Sequence, residues 1–139
     1  MLEIVKVLQV LDGTAFHLEH LENLEHLEHM PPDAIVVLTT LASTDEAVGF
    51  VRELLERRLI ACGNILPGVR SIYRWEGKVA DEQEVIVLLK TRAVRLDALE
   101  MAFGELHPYK VPELLALPVS AGLHKYLEWI DDETSLMLS

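Results

Sequence analysis

The stretch ACGNILPGVRSIYRWEGKVADEQEVIVLLKT, residues 61–91, decides the fold. It predicts a long strand that bends at Pro67-Gly68, a turn at Gly77 and a returning strand. The returning strand is apolar at every position from 85 to 89, so we expect both of its faces to be buried. The sequence therefore predicts a long β-hairpin at the centre of the chain.

The patterns on either side of this hairpin predict further strands and helices. Each strand is an apolar, β-branched run between turn residues, and each helix repeats its apolar residues at a spacing of three or four. The first helix has Ser43 or Thr44 as its N-cap. We predict strands at 34–41, 61–77, 78–91 and 112–122, a first helix with apolar residues Val48, Val51, Leu54, Leu55 and Leu59, and later helices at 95–107 and 123–133.

The order β-α-β-β-α-β-α predicts an α+β fold of the ferredoxin-like kind. In this split βαβ sandwich, a four-stranded antiparallel sheet carries two helices on one face. The central hairpin is longer than so small a sheet needs. A hairpin that overreaches its sheet leaves unpaired strand edges, which tend to pair with another subunit. The pattern therefore also predicts an oligomer.

Composition indicates one globular domain in a reducing compartment. The chain has 139 residues and is 50% hydrophobic, which is enough for a core that needs neither disulfides nor a metal to fold. Its single cysteine, Cys62, has no partner for an internal disulfide, as is usual in the cytoplasm. No apolar run approaches the roughly 20 residues of a membrane span, and the start of the chain lacks the features of a signal peptide. We expect a cytoplasmic protein without a membrane partner.

The net charge of −11 disfavours partners that are themselves negatively charged. The chain has 23 acidic and 12 basic residues, and such a surface repels phosphates and anionic membranes. We therefore expect no nucleic-acid partner. An acidic surface attracts cations, although its ordinary effect is to keep a protein soluble.

The first 33 residues differ from the rest of the chain. Residues 1–34 hold seven acidic residues and one basic residue, a net charge of 1 − 7 = −6, whereas the remainder carries 11 − 16 = −5 over three times the length. Pro31-Pro32 should end any helix before it. We predict an N-terminal extension, 1–33, with a strand at 3–11 and a helix at about 14–30, followed by the ferredoxin-like domain, 34–139.

The extension contains the repeat HLEHLENLEHLEHM, residues 17–30, with four of the six histidines. At about 100° per residue, His17 and His20 lie at about 0° and 300°, whereas His26 and His29 lie at about 180° and 120°. The two pairs face opposite sides, so one straight helix cannot gather four imidazoles around one ion. Glutamates four residues before His26 and His29 would stabilise the helix without metal. We expect the repeat to be a helical extension that leaves metal binding to the rest of the chain.

Three runs together resemble one known family. ACGNILPGVRSIYRWEGKV, EVIVLLKT and HPYKVPELLALPV, followed by YLEWI, closely resemble the CutA family of divalent-cation-tolerance proteins. The resemblance covers about residues 34–133. Residues 1–33 have no counterpart in it. Several rare residues fall in place together: Trp75, His107, Pro108, Tyr109, Pro112 and Trp129.

The resemblance implies a ferredoxin-like subunit assembled into a tight homotrimer through the long hairpin. It also implies a link to divalent cations, chiefly copper, and a subunit and trimer similar to those of the PII signalling proteins. The leading hypothesis is a trimeric cytoplasmic protein that binds Cu²⁺ or another divalent cation in metal tolerance or response. The alternatives are a PII-like small-molecule sensor using a cleft between subunits and a structural trimerising module.

No enzymatic activity is assigned from the sequence. It has no Ser-His-Asp order, no P-loop and no dinucleotide fingerprint, and its motif-like pieces supply no set of nucleophile, base and oxyanion site. The resemblance likewise implies no settled enzymatic reaction.

Two residues are candidate metal ligands. The thiolate of Cys62 would suit copper(I) or zinc, and the imidazole of His107 would suit copper(II) or zinc. Some family members are proposed to bind metal through a cysteine ending the first strand and a histidine pair before Pro-Tyr. The corresponding positions here resemble Thr39, Leu106 and His107, of which His107 alone matches. Cys62 can instead be a small core residue, and His107 a hydrogen-bonded residue at a helix end.

The resemblance also implies a cleft between subunits, a common place for small ligands. The polar and aromatic residues that it places near this cleft are Lys90, Glu84, Tyr73, Tyr109 and Glu113. Lys90 and Glu113 could equally form a structural ion pair. Trp75 and Trp129 are expected to pack at the trimer interface, where their indole N–H groups need partners.

Overall fold

The computed structural model describes residues 33–136 of the 139-residue chain. The predicted N-terminal strand and helix, and the predicted boundary before residue 34, depend on residues outside this range. The elements follow the predicted order, with a 3₁₀ turn before the second helix. The strands are β1 (Ala34–Leu41), β2 (Cys62–Trp75), β3 (Lys78–Arg92) and β4 (Leu115–Pro118), and the helices are α1 (Thr44–Glu56), α2 (Leu96–Leu106) and α3 (His124–Glu133).

The four strands form one antiparallel sheet in the order β2-β3-β1-β4. Side chains alternate between the two faces of each strand, so Val37 of β1 and Val87 and Leu89 of β3 share one face and are completely buried. Helices α1 and α2 contribute residues to the same hydrophobic core. This arrangement confirms the predicted α+β, ferredoxin-like fold.

The first helix begins as predicted, but its buried side differs in part. The Ser43 hydroxyl accepts the backbone N–H of Glu46 at 3.1 Å, which makes Ser43 the N-cap. Of the predicted apolar stripe, Val51, Leu54 and Leu59 are buried, whereas Val48 and Leu55 are exposed. The helix turns about 100° per residue, so its inward face gathers a different i, i+3, i+4, i+7 set. That set is Ala47, Phe50, Val51 and Leu54.

The turn of the central hairpin sets the register in which β2 and β3 pair. Glu76 and Gly77 both have positive φ, 49° and 80°, which is the requirement of a two-residue type I′ turn, and Trp75 pairs with Lys78 across it. A register shift in β2 follows Leu66 and ends at Val69, where the sequence predicted a bend.

The hairpin extends well beyond the rest of the sheet. Strand β1 ends at Leu41, which pairs with Val85 of β3. The seven residues 78–84 therefore continue past β1 for about 24 Å, at about 3.4 Å per residue. Ile72 and Val79 on this extension are more than 60% exposed in the subunit. The predicted overreaching hairpin is thus present, and it carries apolar surface.

Strand β4 is shorter than the predicted strand at 112–122. It pairs only Leu115–Pro118 with the Ile35–Leu38 part of β1. Pro112 precedes it and Pro118 ends it, and a proline lacks the N–H that a longer ladder would need. Within residues 33–136 no helix is long and apolar enough to cross a membrane.

Candidate functional site

An open cleft of about 1160 Å³ lies where the hairpin leaves the rest of the sheet. Its walls come from three places: the end of β1, the extended part of the hairpin, and the segment that follows α2. Four of the residues predicted for a ligand cleft line it: Tyr73, Glu84, Tyr109 and Glu113.

Lys90, the fifth predicted cleft residue, lies elsewhere. It is six residues beyond Glu84 on β3, about 20 Å along the strand at about 3.4 Å per residue. Its Nζ donates to the hydroxyl of Tyr126 on α3 at 3.3 Å and lies 5.6 Å from the centre of that ring. No ion pair joins it to Glu113 in the part of the chain that the structure describes. Lys90 therefore lies outside this cleft of the single subunit, and its place at a cleft between subunits stays a prediction.

Two tyrosine–glutamate pairs hold the carboxylates of the cleft. The Tyr109 hydroxyl donates to Glu84 Oε2 at 2.6 Å, and the Tyr73 hydroxyl donates to Glu82 Oε1 at 2.7 Å. Burial, together with the hydrogen bond to Glu84, raises the pKa of Tyr109 above its usual range. The hydrogen bond to Glu82 is the main cause that raises the pKa of Tyr73. Both phenols therefore stay neutral near pH 7 and donate to the two carboxylates.

The cleft carries an excess of negative charge. Its lining includes four carboxylates against the single ammonium group of Lys110: Glu76, Glu82, Glu84 and Glu113. Glu84 is only 7% exposed, and it forms no ion pair with another residue in the range 33–136. A buried carboxylate without a cationic partner is costly. The cleft is therefore a place where a bound cation would be stabilised.

His107 supports one wall of this cleft. It follows α2 directly and is 8% exposed. The Tyr109 backbone N–H donates to Nδ1 at 3.2 Å, so Nδ1 carries no proton and the proton is on Nε2. Nε2 donates to the Thr40 carbonyl at 3.0 Å and lies 3.2 Å from the Thr39 hydroxyl. Both ring nitrogens thus have partners within the chain.

The surroundings of His107 favour its neutral form. Burial lowers its pKa, and neither the Thr40 carbonyl nor the charges of Glu46 and Glu84 reverse that direction. A neutral imidazole can bind a metal only through an unprotonated nitrogen, and here that nitrogen, Nδ1, accepts the Tyr109 N–H. Metal binding by His107 would require this hydrogen bond to break. The structure favours the structural alternative of the two interpretations.

Cys62, the other candidate ligand, lies away from His107. It is partly buried at the start of β2, where its thiol contacts the Asn64 side chain at 3.6 Å and its backbone pairs with Lys90. The Thr40 carbonyl that His107 contacts lies level with Ile86 of β3, four residues or about 14 Å from Lys90 along the strand. The two candidate ligands therefore do not share a site in one subunit. In residues 33–136, no three His, Cys, Asp or Glu side chains are grouped as a metal site.

The two tryptophans lie on different parts of the subunit surface. Trp75 ends β2 and lines the cleft, whereas Trp129 on α3 stacks at 5.4 Å on the ring of Tyr126. Both are exposed by roughly two fifths in the single subunit. Their place at a trimer interface stays a prediction.

The sequence reasoning missed Glu82, Lys110 and Thr40. Glu82 had a signal, because in DEQE it stands two residues before Glu84 and a strand places such residues on one side. Lys110 lies inside HPYKVPELLALPV, one of the runs that carry the family resemblance. Thr40 contributes a backbone carbonyl to His107, and no side-chain pattern reports such a contact.

Comparisons with known proteins agree on one family. The model for the CutA1 divalent ion tolerance protein matches residues 35–133. A divalent-cation tolerance protein CutA of Thermus thermophilus is 44% identical over 99 residues, 71% of this chain and 96% of the relative. A chloroplastic protein CutA of Arabidopsis thaliana is 39% identical over 101 residues, 73% of this chain and 56% of the relative. The crystal structure of CutA1 from Oryza sativa has a TM-score of 0.73 and 39% identity, covering 76% of this chain and 97% of that one.

Proposed function

The chain belongs to the CutA1 divalent ion tolerance family, and we propose that it acts in metal tolerance or response by binding a divalent cation in the acidic cleft. The observation that carries this proposal is Glu84, a buried carboxylate that is held by the Tyr109 phenol and has no cationic partner in the described chain. Glu82, Glu113 and Glu76 line the same cleft and add to its negative charge. The family supports metal tolerance; the choice of site and ion is our inference.

We propose copper as the first ion to test. Carboxylate oxygens accept many divalent cations, and for a given site of nitrogen or oxygen ligands the affinity of first-row divalent metals is highest for Cu²⁺. Oxygen ligands also suit Mn²⁺ and Mg²⁺, so these two ions are the comparison. The carboxylates replace His107 and Cys62 as the proposed donors, since His107 uses both ring nitrogens and Cys62 lies elsewhere.

We further propose that the working form is a homotrimer. On the face of the sheet opposite α1 and α2, helix α3 packs near Ala34 and Ala61. Leu115 and Leu117 pair with β1 on that open face and remain exposed, as does Leu66 of β2. Exposed apolar residues grouped on one face of a sheet are typical of a surface that binds another protein. Neighbouring subunits would cover it and could complete the coordination of an ion in the cleft.

The proposed location is the cytoplasm. A single cysteine that is not needed for a disulfide suits a reducing compartment. One relative is named as chloroplastic, so location is best tested directly by fractionating cells that express the full-length chain. Recovery with cytoplasmic markers is expected.

A small-molecule sensor is the second candidate, favoured by the open cleft with Tyr73, Trp75 and Lys110 in its walls. Thermal shifts of the full-length protein with Cu²⁺, Mn²⁺, Mg²⁺ and a panel of anionic metabolites would separate the two functions. Stabilisation by Cu²⁺ at low concentration supports cation binding. Stabilisation by an anion alone would favour the sensor. No response to any compound would favour a structural trimerising module.

A further inference from the structure

His107 joins two parts of the chain that form opposite sides of one corner of the cleft. On one side, its Nε2–H donates to the Thr40 carbonyl at 3.0 Å, at the end of β1. On the other side, its Nδ1 accepts the Tyr109 N–H at 3.2 Å, in the segment after α2. Pro108 stands between the two residues of the second contact and restricts the backbone there.

The ring itself is held rigidly. Its centre lies 5.2 Å from that of Phe50, 5.6 Å from Phe103 and 5.0 Å from Tyr109. Phe50 and Phe103 are buried core residues on α1 and α2. The imidazole is therefore fixed against the helices while its two nitrogens reach the backbone of the cleft wall.

Through its hydrogen bond with the Tyr109 backbone N–H, His107 determines where the Tyr109 side chain begins. Tyr109 in turn places its hydroxyl 2.6 Å from Glu84, the buried carboxylate of the cleft. We propose that His107 is a positioning residue, which acts through the Tyr109 backbone to aim the Glu84 carboxylate at a bound cation. It does so as a neutral imidazole with its proton on Nε2, without touching the ion. The part of this inference that concerns cation affinity rests on the proposed function; the positioning itself does not.

Two substitutions separate the two contacts of the ring. An asparagine side chain can place its carbonyl oxygen near the position of Nδ1 and so accept the Tyr109 N–H. A glutamine side chain reaches the position of Nε2 and can donate to the Thr40 carbonyl, but it leaves the Tyr109 N–H without its acceptor. His107→Asn and His107→Gln are therefore a matched pair, and Tyr109→Phe is the control that removes the phenol directly.

The first measurement needs no metal. In solution NMR of the full-length protein, ¹⁵N shifts of His107 should show a protonated Nε2 and an unprotonated Nδ1. The Tyr109 hydroxyl proton, which a short hydrogen bond protects, should give a slowly exchanging resonance that is absent in Tyr109→Phe. It should persist in His107→Asn and disappear in His107→Gln. Persistence in both variants, or a proton on Nδ1 in the wild type, would overturn the proposal.

The second measurement is Cu²⁺ affinity, with thermal stability recorded for each variant. His107→Gln and Tyr109→Phe should both bind Cu²⁺ roughly tenfold more weakly, the effect of losing one hydrogen bond to a charged group. His107→Asn should stay close to the wild type even if its melting temperature falls. Equal losses in the Asn and Gln variants would contradict a role through Tyr109. If the wild type binds no Cu²⁺, the proposed function fails, and the NMR result still decides the positioning.

Discussion

At the scale of single residues, the Tyr109–Glu84 pair combines a buried carboxylate with a short hydrogen bond. The carboxylate is 7% exposed and receives the phenol at 2.6 Å. Such a bond to a charged group stabilises a protein by about 1.5–3 kcal/mol, because its loss leaves a buried group unsatisfied. Glu84 therefore contributes to the fold only as long as Tyr109 supports it, and a bound cation would stabilise it further.

Tyr109→Phe should lower the free energy of unfolding by about 1.5–3 kcal/mol. Urea denaturation monitored by circular dichroism would measure it. In a Glu84→Gln background the same substitution should cost clearly less, since the acceptor there is no longer charged. Equal costs in the two backgrounds would mean that the two side chains do not interact.

Because of His107, the free energy of unfolding should decrease as the pH falls. Burial lowers its pKa in the folded protein below the usual 6.5, so the unfolded chain takes up the proton first as the pH falls. Stability should therefore be full above about pH 6.5 and decline below it, by at most about 1.4 kcal/mol per pH unit for one proton. His107→Gln should remove this part of the slope between pH 7.5 and 5. The other five histidines are common to both proteins, so the difference between the two urea profiles isolates His107. Parallel profiles would contradict the assignment.

At the scale of elements, the close approach of α1 to β2 depends on Gly63. A Cβ atom there would lie 2.7 Å from Val51 Cγ1 and 2.8 Å from Cγ2. Gly63→Ala should therefore destabilise the protein by about 1–3 kcal/mol, the usual cost of overpacking a core.

Gly49 offers the control for this prediction. It lies in α1, the helix that carries Val51, and nothing stands within 4 Å of the Cβ that it lacks. Gly49→Ala should therefore stabilise the protein by up to about 1 kcal/mol. Adding Val51→Ala to Gly63→Ala should recover part of the lost stability by making room. Denaturation midpoints of the variants would decide, and an unchanged midpoint for Gly63→Ala would show that the helix can move away from the strand.

The helices and strands also show which structural features could be predicted from the sequence alone. Ser43 as a cap, the bend near Gly68 and the turn before Lys78 were predictable, because each depends on local backbone chemistry. The predicted stripe of α1 was partly wrong since the inward direction of a helix depends on the sheet beneath it. The distance of Lys90 from the cleft of the single subunit was not predictable for a related reason: it depends on the pairing of β3 with its neighbours. The family resemblance placed Glu84 and Tyr109 near a cleft, but their hydrogen bond is seen only in the folded structure.

At the scale of the whole molecule, the single subunit leaves two apolar areas exposed to water. One is the open face with Leu115 and Leu117, and the other is the extended hairpin with Ile72 and Val79. A homotrimer would bury both and would place a second subunit beside the acidic cleft.

Leu117→Lys should weaken this assembly, because it brings a charge into the proposed interface. Light scattering should give the mass of a trimer for the wild type and a smaller mass for the variant. Met101→Lys is the control: Met101 is 73% exposed on α2, on the opposite side of the sheet, and its replacement should leave the trimer intact. A monomeric wild type, or an intact Leu117→Lys trimer, would contradict the proposed interface.

The N-terminal extension gives a further test at this scale. Removal of residues 1–33, with the histidine-rich repeat, should leave the mass of the oligomer at three subunits and the number of bound ions per subunit unchanged. Light scattering and metal analysis after dialysis would measure the two quantities. Loss of bound metal would assign the ligands to the repeat instead of the cleft.

The central claim is that the acidic cleft holds a divalent cation, and calorimetric titration of the full-length protein with Cu²⁺ tests it most directly. The wild type should bind a defined number of ions per subunit in a saturable way. The double variant Glu82→Gln/Glu84→Gln, in which both carboxylates lose their charge while the side chains keep nearly the same shape, should lose this uptake or bind at least tenfold more weakly. Equal Cu²⁺ uptake by the wild type and the double variant, or no saturable uptake by the wild type, would contradict the claim.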